Sequence, residues 1–458
     1  MSTRRQFLRT TASSVIGLQA LDAALAALAA DAPPCDDAMV SLTGDPQTVG
    51  KRFGTLNAES VRRGTHDAIA GWRQRGLSRD QMQERIEPFR RFVAKFAPAW
   101  MDEMAGCAEA AGVPVDDYVV YEGGSPREII LFHECTSFAA VGSATADGAP
   151  LFQRIRDNRG TNCAFQKKVL HRSSPAGFYA FGNTPLAIAV SAMVNEHGLA
   201  GSADMGGLAE DRPTGRGVMN SHVIRLIAER AERTEDALDI LQQMIRDRWY
   251  AGGKVGTHWL FVDRFGQGLR VAQNSHEEQH HFFEDDVAFL RRGDTAAGRL
   301  VTENKGRLTF RDMIVAGRHR DICGTTSIAG LSVRVDPERP AELSSVWMAQ
   351  PAWAPYVPLF PIARAVPKEM VDGTSFLRGH DLLKLRSGSD ANTGDFFGGP
   401  IGEKRRAFQE QLFADAADVE KRIRDAVARG QTEEAIRLAG HGARTSCARV
   451  MQFLAEAV

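Results

Sequence analysis

One stretch constrains this chain more than any other: Glu134-Cys135-Thr136-Ser137-Phe138, then Asp147-Gly148, then Arg154-Ile155-Arg156-Asp157. The residues after Cys135 read as a strand, Asp-Gly is a hairpin turn signal, and a second strand follows. Such a hairpin brings a thiol, a guanidinium and a carboxylate together. Were the chain cut before Cys135, that residue would carry both a nucleophilic sulfur and a free α-amine. With a pKa of about 7.7–8.0, the amine can serve as general base.

The N-terminus, Ser2-Thr3-Arg4-Arg5-Gln6-Phe7-Leu8-Arg9, carries a twin-arginine signal followed by an alanine-rich apolar run. Small-residue cleavage sites at Ala27-Leu28-Ala29 and Ala30-Asp31-Ala32 predict a signal peptide over 1–32 and export, already folded, to the periplasm or beyond. No other run is apolar for long enough to span a bilayer, so no membrane partner is expected once the signal is removed. With a net charge of −1 and no block of like charge, nothing calls for nucleic acid. Of the six cysteines (35, 107, 135, 163, 323 and 447), at least one other is unpaired if Cys135 stays a free thiol. Cys107 reads as a small core residue.

From about Thr55 to Ala111 apolar residues recur at helical spacing, as in Ile86, Phe89, Phe92, Val93 and Phe96, with Pro98 separating two helices. After the hairpin, Gly177 to Asn183 and Pro185 to Val194 read as strands, and Gly198 in Asn195-Glu196-His197-Gly198-Leu199 as a positive-φ turn residue. Val218 to Arg248 is an amphipathic helical stretch. Thr257 to Asp263 and Gly268 to Gln273 are strands around a turn at Arg264-Phe265-Gly266. A polar loop from Ser387 to Gly394 precedes two or three helices from Lys404 onward, with breaks at Gly430 and near Gly440-His441-Gly442. A charged helical tail of this kind is an outer layer or an oligomer contact. Residues alone give a mixed α and β fold, with no repeat and no cofactor fingerprint.

Cys-Thr-Ser-Phe, Ala144-Thr145-Ala146-Asp147-Gly148 and Arg-x-x-Asp together resemble the N-terminal nucleophile (Ntn) hydrolases that cleave linear amides. More closely, they resemble the self-processing acyl-coenzyme A:6-aminopenicillanate acyltransferase family. The helix end from Glu103 to Val113 agrees, with Ala110 in place of the family's middle glycine. The resemblance implies a four-layer αββα sandwich with extra helices at both ends. It implies self-cleavage between Glu134 and Cys135, leaving 33–134 as a helical small subunit that remains a partner of 135–458, the catalytic subunit, with a helical layer over about 400–458. In that reading Cys135 attacks the acyl carbonyl of a small-molecule amide and its amine carries the proton. Arg154 lowers the thiol pKa, Asp157 orients the amine, and Asn304, in the strand end Val301-Thr302-Glu303-Asn304, faces the oxyanion. Asn195 and Asp204 are supporting candidates, although an ionised Asp204 cannot donate where relatives place an asparagine. No cofactor or metal is implied.

Three rivals remain. Ser327 and the runs Val346 to Ala349 and Tyr356 to Leu359 are more similar to secreted Ntn dipeptidases, against which the long helical segment before Cys135 argues. His276-Glu277-Glu278-Gln279-His280 matches the zinc-hydrolase pattern His-Glu-x-x-His, but lacks the apolar positions of a buried helix and reads as a solvated loop. An exported binding protein without activity would tolerate any change at Cys135.

Overall fold

The apolar stripes ahead of Cys135 fold as five helices: α1 Pro46–Leu56, α2 Ala58–Gln74, α3 Arg79–Phe96, α4 Ala99–Ala111 and α5 Val115–Gly123. Asp45 caps α1 by accepting from Thr48 N at 2.9 Å, Ser78 and Gln81 close a capping box on α3, and Pro98 separates α3 from α4. The α3 stripe Ile86, Phe89, Phe92, Val93 and Phe96 is buried. α1 and α4 touch backbone to backbone, because a Cβ on Gly50 would overlap the Glu103 carbonyl and one on Gly106 the Gln47 carbonyl.

The computed structural model describes residues 38–124, 135–158, 168–172, 178–182, 186–386 and 399–457. The signal peptide, Cys35, Glu134, Cys163 and the loop from Ser387 to Gly394 lie outside the described residues. Met1–Met39 and Val40–Val458 form separate units, and the helices and the two sheets of the sandwich belong to the second.

Both sheets come after these helices in the chain, apart from one short strand ahead of them. The strands are β1 Leu42–Thr43, β2 Thr136–Ala140, β3 Leu151–Asp157, β4 Lys168–Arg172, β5 Phe178–Gly182, β6 Val190–Asn195 and β7 Ala200–Met205. They continue with β8 Thr257–Val262, β9 Gly268–Gln273, β10 Glu278–Phe283, β11 Val287–Phe289, β12 Ser327–Arg334, β13 Ser345–Ala349 and β14 Val357–Leu359. The large sheet runs β10-β9-β8-β7-β6-β5-β4-β1 and the small sheet β11-β2-β3-β12-β13-β14. Neighbours are antiparallel except β1, which is parallel to β4.

Strands β2, β3 and β6 are buried at every position, which requires cover on both faces. Helices α6 Asn220–Arg230 and α7 Thr234–Arg246 pack on the large sheet. Helices α8 Ala296–Glu303 and α9 Phe310–Gly317 pack on the small one, closing a core of Phe138, Leu151, Ile155, Val301 and Met313. The two sheets meet face to face, so the layers are helix, sheet, sheet, helix: the αββα arrangement that the resemblance implied. Helices α10 Thr374–Arg386, α11 Gly399–Ala428 and α12 Thr432–Ala457 add a C-terminal layer. Gly430 separates α11 from α12 as expected, but α12 runs unbroken through Gly440-His441-Gly442. Gly442 instead serves close packing, since a Cβ there would lie 2.8 Å from Val419 Cγ1.

The helical segment is tied to the sandwich through buried polar groups. Arg225 of α6 pairs with Glu103 at 2.8 Å, and Trp100 Nε1 donates to Glu229 Oε2 at 3.0 Å. Glu122 accepts from the backbone of Ala187, Ile188 and Ala189 at 3.1, 3.2 and 2.9 Å. This capture turns residues 187–189 out of the strand expected from Pro185, so that β6 begins only at Val190.

His222 Nε2 lies 3.8 Å from Glu122, with both side chains fully buried. Burial raises Glu122 from 4.5 to about 7, against the pull of its backbone donors, and burial lowers His222 from 6.5 to about 3. Folding thus exchanges a His proton for a Glu proton between about pH 4.5 and 6.5, and the pair leaves stability flat there. The raised Glu122 pKa makes stability fall as pH climbs from about 6.5 through about 7, and the depressed His222 pKa makes it fall as pH drops below about 4.5, where Glu122 no longer offsets it, toward about 3. Denaturant titrations of wild type and Glu122→Gln across about pH 6–8 should differ, with the wild-type loss absent from the variant. Parallel curves would contradict the buried protonated Glu122.

Candidate active site

Strands β2 and β3 form the hairpin read from Asp147-Gly148, with Gly148 at φ +76° and Asp147 accepting from Ala149 N at 3.1 Å. Register pairs Thr136 with Ile155 and Ser137 with Arg154, so Cys135 is level with Arg156. Side chains alternate along a strand. Phe138 and Ile155 therefore enter the helix-side core, while Cys135, Ser137, Arg154 and Arg156 face the large sheet.

There the fold closes a cluster across both sheets. Arg154 Nη2 donates to Cys135 Sγ at 3.5 Å and to the Ala203 carbonyl at 3.1 Å. Its Nη1 donates to the Ser191 carbonyl. Its Nε lies 3.1 Å from Asp204 Oδ1, an ion pair set off the N–H direction. Asp204 Oδ2 accepts from Ser137 Oγ at 2.6 Å, and Ser137 Oγ also meets Ser202 Oγ at 2.9 Å. Cys135 is 6% exposed and Arg154 2%.

Burial pushes the Cys135 thiol up; Arg154 pulls it down, Asp204 pushes it up again, and Arg156 pulls it down. The net direction is upward, although Arg154 does lower this pKa as expected. Desolvation of a thiolate outweighs one guanidinium whose charge Asp204 already answers. Burial lowers Arg154, but Asp204 and Cys135 more than offset it and hold the guanidinium above its ordinary value. Burial, then Arg154, bring Arg156 down to about 10.

Asp157, three residues from Arg154, turns to the other face. Its Oδ1 accepts from Ser327 Oγ at 2.5 Å, and its Oδ2 lies 3.9 Å from Arg292 Nη2. Arg292 also donates to the carbonyls of Asp321 and Ile322 at 2.6 and 3.1 Å. By register Asp157 sits one step beyond the level of Cys135, on the side of the Cys135 nitrogen. Arg156, Ser137, Ser327 and Arg292 were not singled out from sequence as site residues. The alternation Arg154-Ile155-Arg156 could have placed Arg156 on the Cys135 face; the others depend on pairings across the fold.

The remaining candidates fall elsewhere. Asn195 accepts from His197 N and Leu199 N at 3.1 and 3.0 Å and donates to Ala228 and Ala231 carbonyls at 3.2 and 2.7 Å. These four bonds use its amide to tie the β6–β7 turn, with Gly198 at φ +84°, to the end of α6. Asn304 does not end a strand. It caps α8, donating to the Leu300 carbonyl at 2.8 Å and accepting from Arg307 Nε at 2.9 Å. Its amide is spent locally, and the N-cap of α8 at Thr295 shows why a helix forms there. His276-Glu277-x-x-His280 forms no zinc helix: His276 and Glu277 lie in a turn, as the loop reading expected, and Glu278 to His280 are strand. It leads into the exposed edge strand β10, where His280 Nδ1 meets Glu278 at 3.0 Å while His276 Nε2 meets the Arg212 carbonyl at 3.1 Å. Among the described residues Cys107, Cys135, Cys323 and Cys447 are free and buried.

No family model matches the chain, and no curated protein matches it. Among solved structures, penicillin V acylase from Agrobacterium tumefaciens is similar at 10% identity over 49% of this chain and 86% of that one, with a TM-score of 0.34. A Caenorhabditis elegans N-acylethanolamine-hydrolyzing acid amidase ortholog is similar at 13% identity over 45% of this chain and 94% of that one, with a TM-score of 0.35. Conjugated bile acid hydrolase from Clostridium perfringens is similar at 10% identity over 49% of this chain and 92% of that one, with a TM-score of 0.34. What points to a function for this chain is the cluster around Cys135.

Proposed function

We propose that this chain is a cysteine amide hydrolase that matures by cutting itself before Cys135. The observation that carries the reading is the cluster itself: a buried thiol at the head of a strand, held by a guanidinium that spans both sheets. A structural cysteine needs no such partner. In maturation Sγ attacks the preceding carbonyl carbon, the C–N bond breaks as the nitrogen takes a proton, and water releases the resulting thioester. The freed α-amine then supplies the base for the thiol. Asp157, on the nitrogen side of Cys135, orients that amine. In turnover Sγ attacks the substrate carbonyl, the amine passes its proton to the leaving nitrogen, and water hydrolyses the thioester. An amine acceptor in place of water would give acyl transfer.

Arg154 acts here by fixing the sulfur and by pulling its pKa down against the larger effect of burial. Asn304 has no part in the scheme, because its amide is already committed.

Incubating the purified protein with a panel of N-acyl amides and quenching in acid should trap an acyl group on the peptide that begins at Cys135. Mass spectrometry reads this directly. Hydrolysis with acylation at another residue, or with no acyl adduct and full activity after thiol alkylation, would contradict the proposal.

A further inference from the structure

Two guanidiniums are enclosed where α9 and α11 approach the turn between β13 and β14. Arg318 caps the C-terminus of α9 and Arg405 lies on α11, and they are only 8% and 4% exposed. Arg318 Nη2 donates to the Ala354 carbonyl and lies 3.5 Å from Gln409 Oε1. Arg405 Nη1 donates to the Ala352 carbonyl at 2.7 Å. Gln409 follows Arg405 by about one turn of α11, so the two share a helix face, and its Oε1 also accepts from Tyr356 N at 2.7 Å. Three buried donors in this cluster, Arg318 Nε, Arg318 Nη1 and Gln409 Nε2, have no hydrogen-bond partner among the described residues.

No carboxylate pairs with either cation among the described residues. The acidic groups that act on Arg318 are Tyr356 and Cys323, and neither carries a charge at neutral pH. Burial pushes the Cys323 thiol up to about 12 and the Tyr356 hydroxyl above its ordinary value. Asp157, whose charge reaches Cys323, is engaged by Ser327 and Arg292. The Tyr356 ring lies 4.8 Å from Arg318 Cζ and the Trp353 ring 5.9 Å from Arg405 Cζ, which softens the two charges without cancelling them. Burial lowers the pKa of Arg318; burial, then Arg318, bring Arg405 down to about 9. Two like charges out of water, with only dipoles and rings around them, are costly until an anion neutralises them.

We propose that Arg318 and Arg405 bind a small inorganic anion of halide size, such as chloride, between α9, the β13–β14 turn and α11. The unmatched groups are donors only, so the ligand accepts hydrogen bonds and gives none. Nη2, which belongs to both donor forks of the Arg318 guanidinium, is already engaged, and a spherical ion needs no fork. The inference stands apart from the reading of Cys135, and its test needs no activity.

The purified chain is unfolded by urea at fixed ionic strength while chloride replaces gluconate, an anion too large for an enclosed site. Above the dissociation constant, each tenfold rise in chloride should lower the wild-type unfolding constant by about tenfold per ion bound. Arg318→Gln and Arg405→Gln should lose most of that dependence, whereas general salt effects are common to all three proteins. Wild-type crystals soaked in bromide and measured at its absorption edge give a readout that does not depend on the variants folding. One anomalous peak in contact with nitrogens of Arg318 and Arg405 is expected. A chloride dependence identical in wild type and both variants would overturn the proposal, and so would bromide-soaked crystals in which these donors face only water.

Discussion

Cys135→Ala leaves a folded, uncut chain whose amide hydrolysis is lost by a factor on the order of 10⁶, the scale seen when a covalent nucleophile is removed. The fold should survive, since the substitution deletes one buried sulfur whose only hydrogen bond in the described structure comes from Arg154. Truncating a side chain this small costs about 1 kcal/mol of packing. Denaturant unfolding and activity measured on one preparation separate the two effects. A folded Cys135→Ala with more than a trace of wild-type turnover contradicts the nucleophile.

Arg154→Ala has the second large effect, and on stability as well as rate. The side chain crosses from the small sheet to the large one, serving two backbone carbonyls, the Cys135 sulfur and Asp204. Its loss takes from buried Asp204 its ion-pair partner, leaving the Ser137 hydroxyl and the more distant charge of Arg156. Stranding one partner of a buried pair destabilises by about 3–5 kcal/mol. Arg154→Ala with Asp204→Ala should then recover part of that loss, because no unpaired charge remains, while turnover stays low for want of the group that fixes Sγ. Additive losses in the double-mutant cycle would mean that the two charges do not stabilise each other. Full activity in either folded variant would remove Arg154 from the site.

The legible parts of this site are the local ones. Cys135 and Arg154 lie on adjoining strands of one hairpin, and the Asp-Gly turn with flanking alternation announces that hairpin. Asp204 stands out in the sequence only as a misplaced donor. Its role as counter-charge to Arg154 requires two sheets to face each other, which no periodicity within one strand reports. Arg-x-x-Asp suggests that Arg154 and Asp157 point the same way, yet a spacing of three on a strand sends them to opposite faces. The net upward shift of the thiol is illegible for a related reason: the arginine that lowers its pKa is visible in sequence, whereas the desolvation that outweighs it is not. Val301-Thr302-Glu303-Asn304 looks like a strand end until the Thr295 cap that starts a helix there is taken into account. His-Glu-x-x-His fails as a helix because its second half, Glu278 to His280, pairs with Gln273 to Val271 of β9. Glycine, too, carries two meanings: Gly430 ends a helix at φ +72°, while Gly442 lets one pass close to another.

The proposed chemistry depends most on the bond before Cys135. Catalytically active protein should be isolated, denatured, and its fragments sequenced from their N-termini. The proposal predicts a fragment beginning Cys-Thr-Ser-Phe, co-purifying with the helical segment, and no such fragment from Cys135→Ala prepared in parallel. Full activity in a chain intact across Glu134–Cys135, or cutting at that bond in the alanine variant, would contradict it.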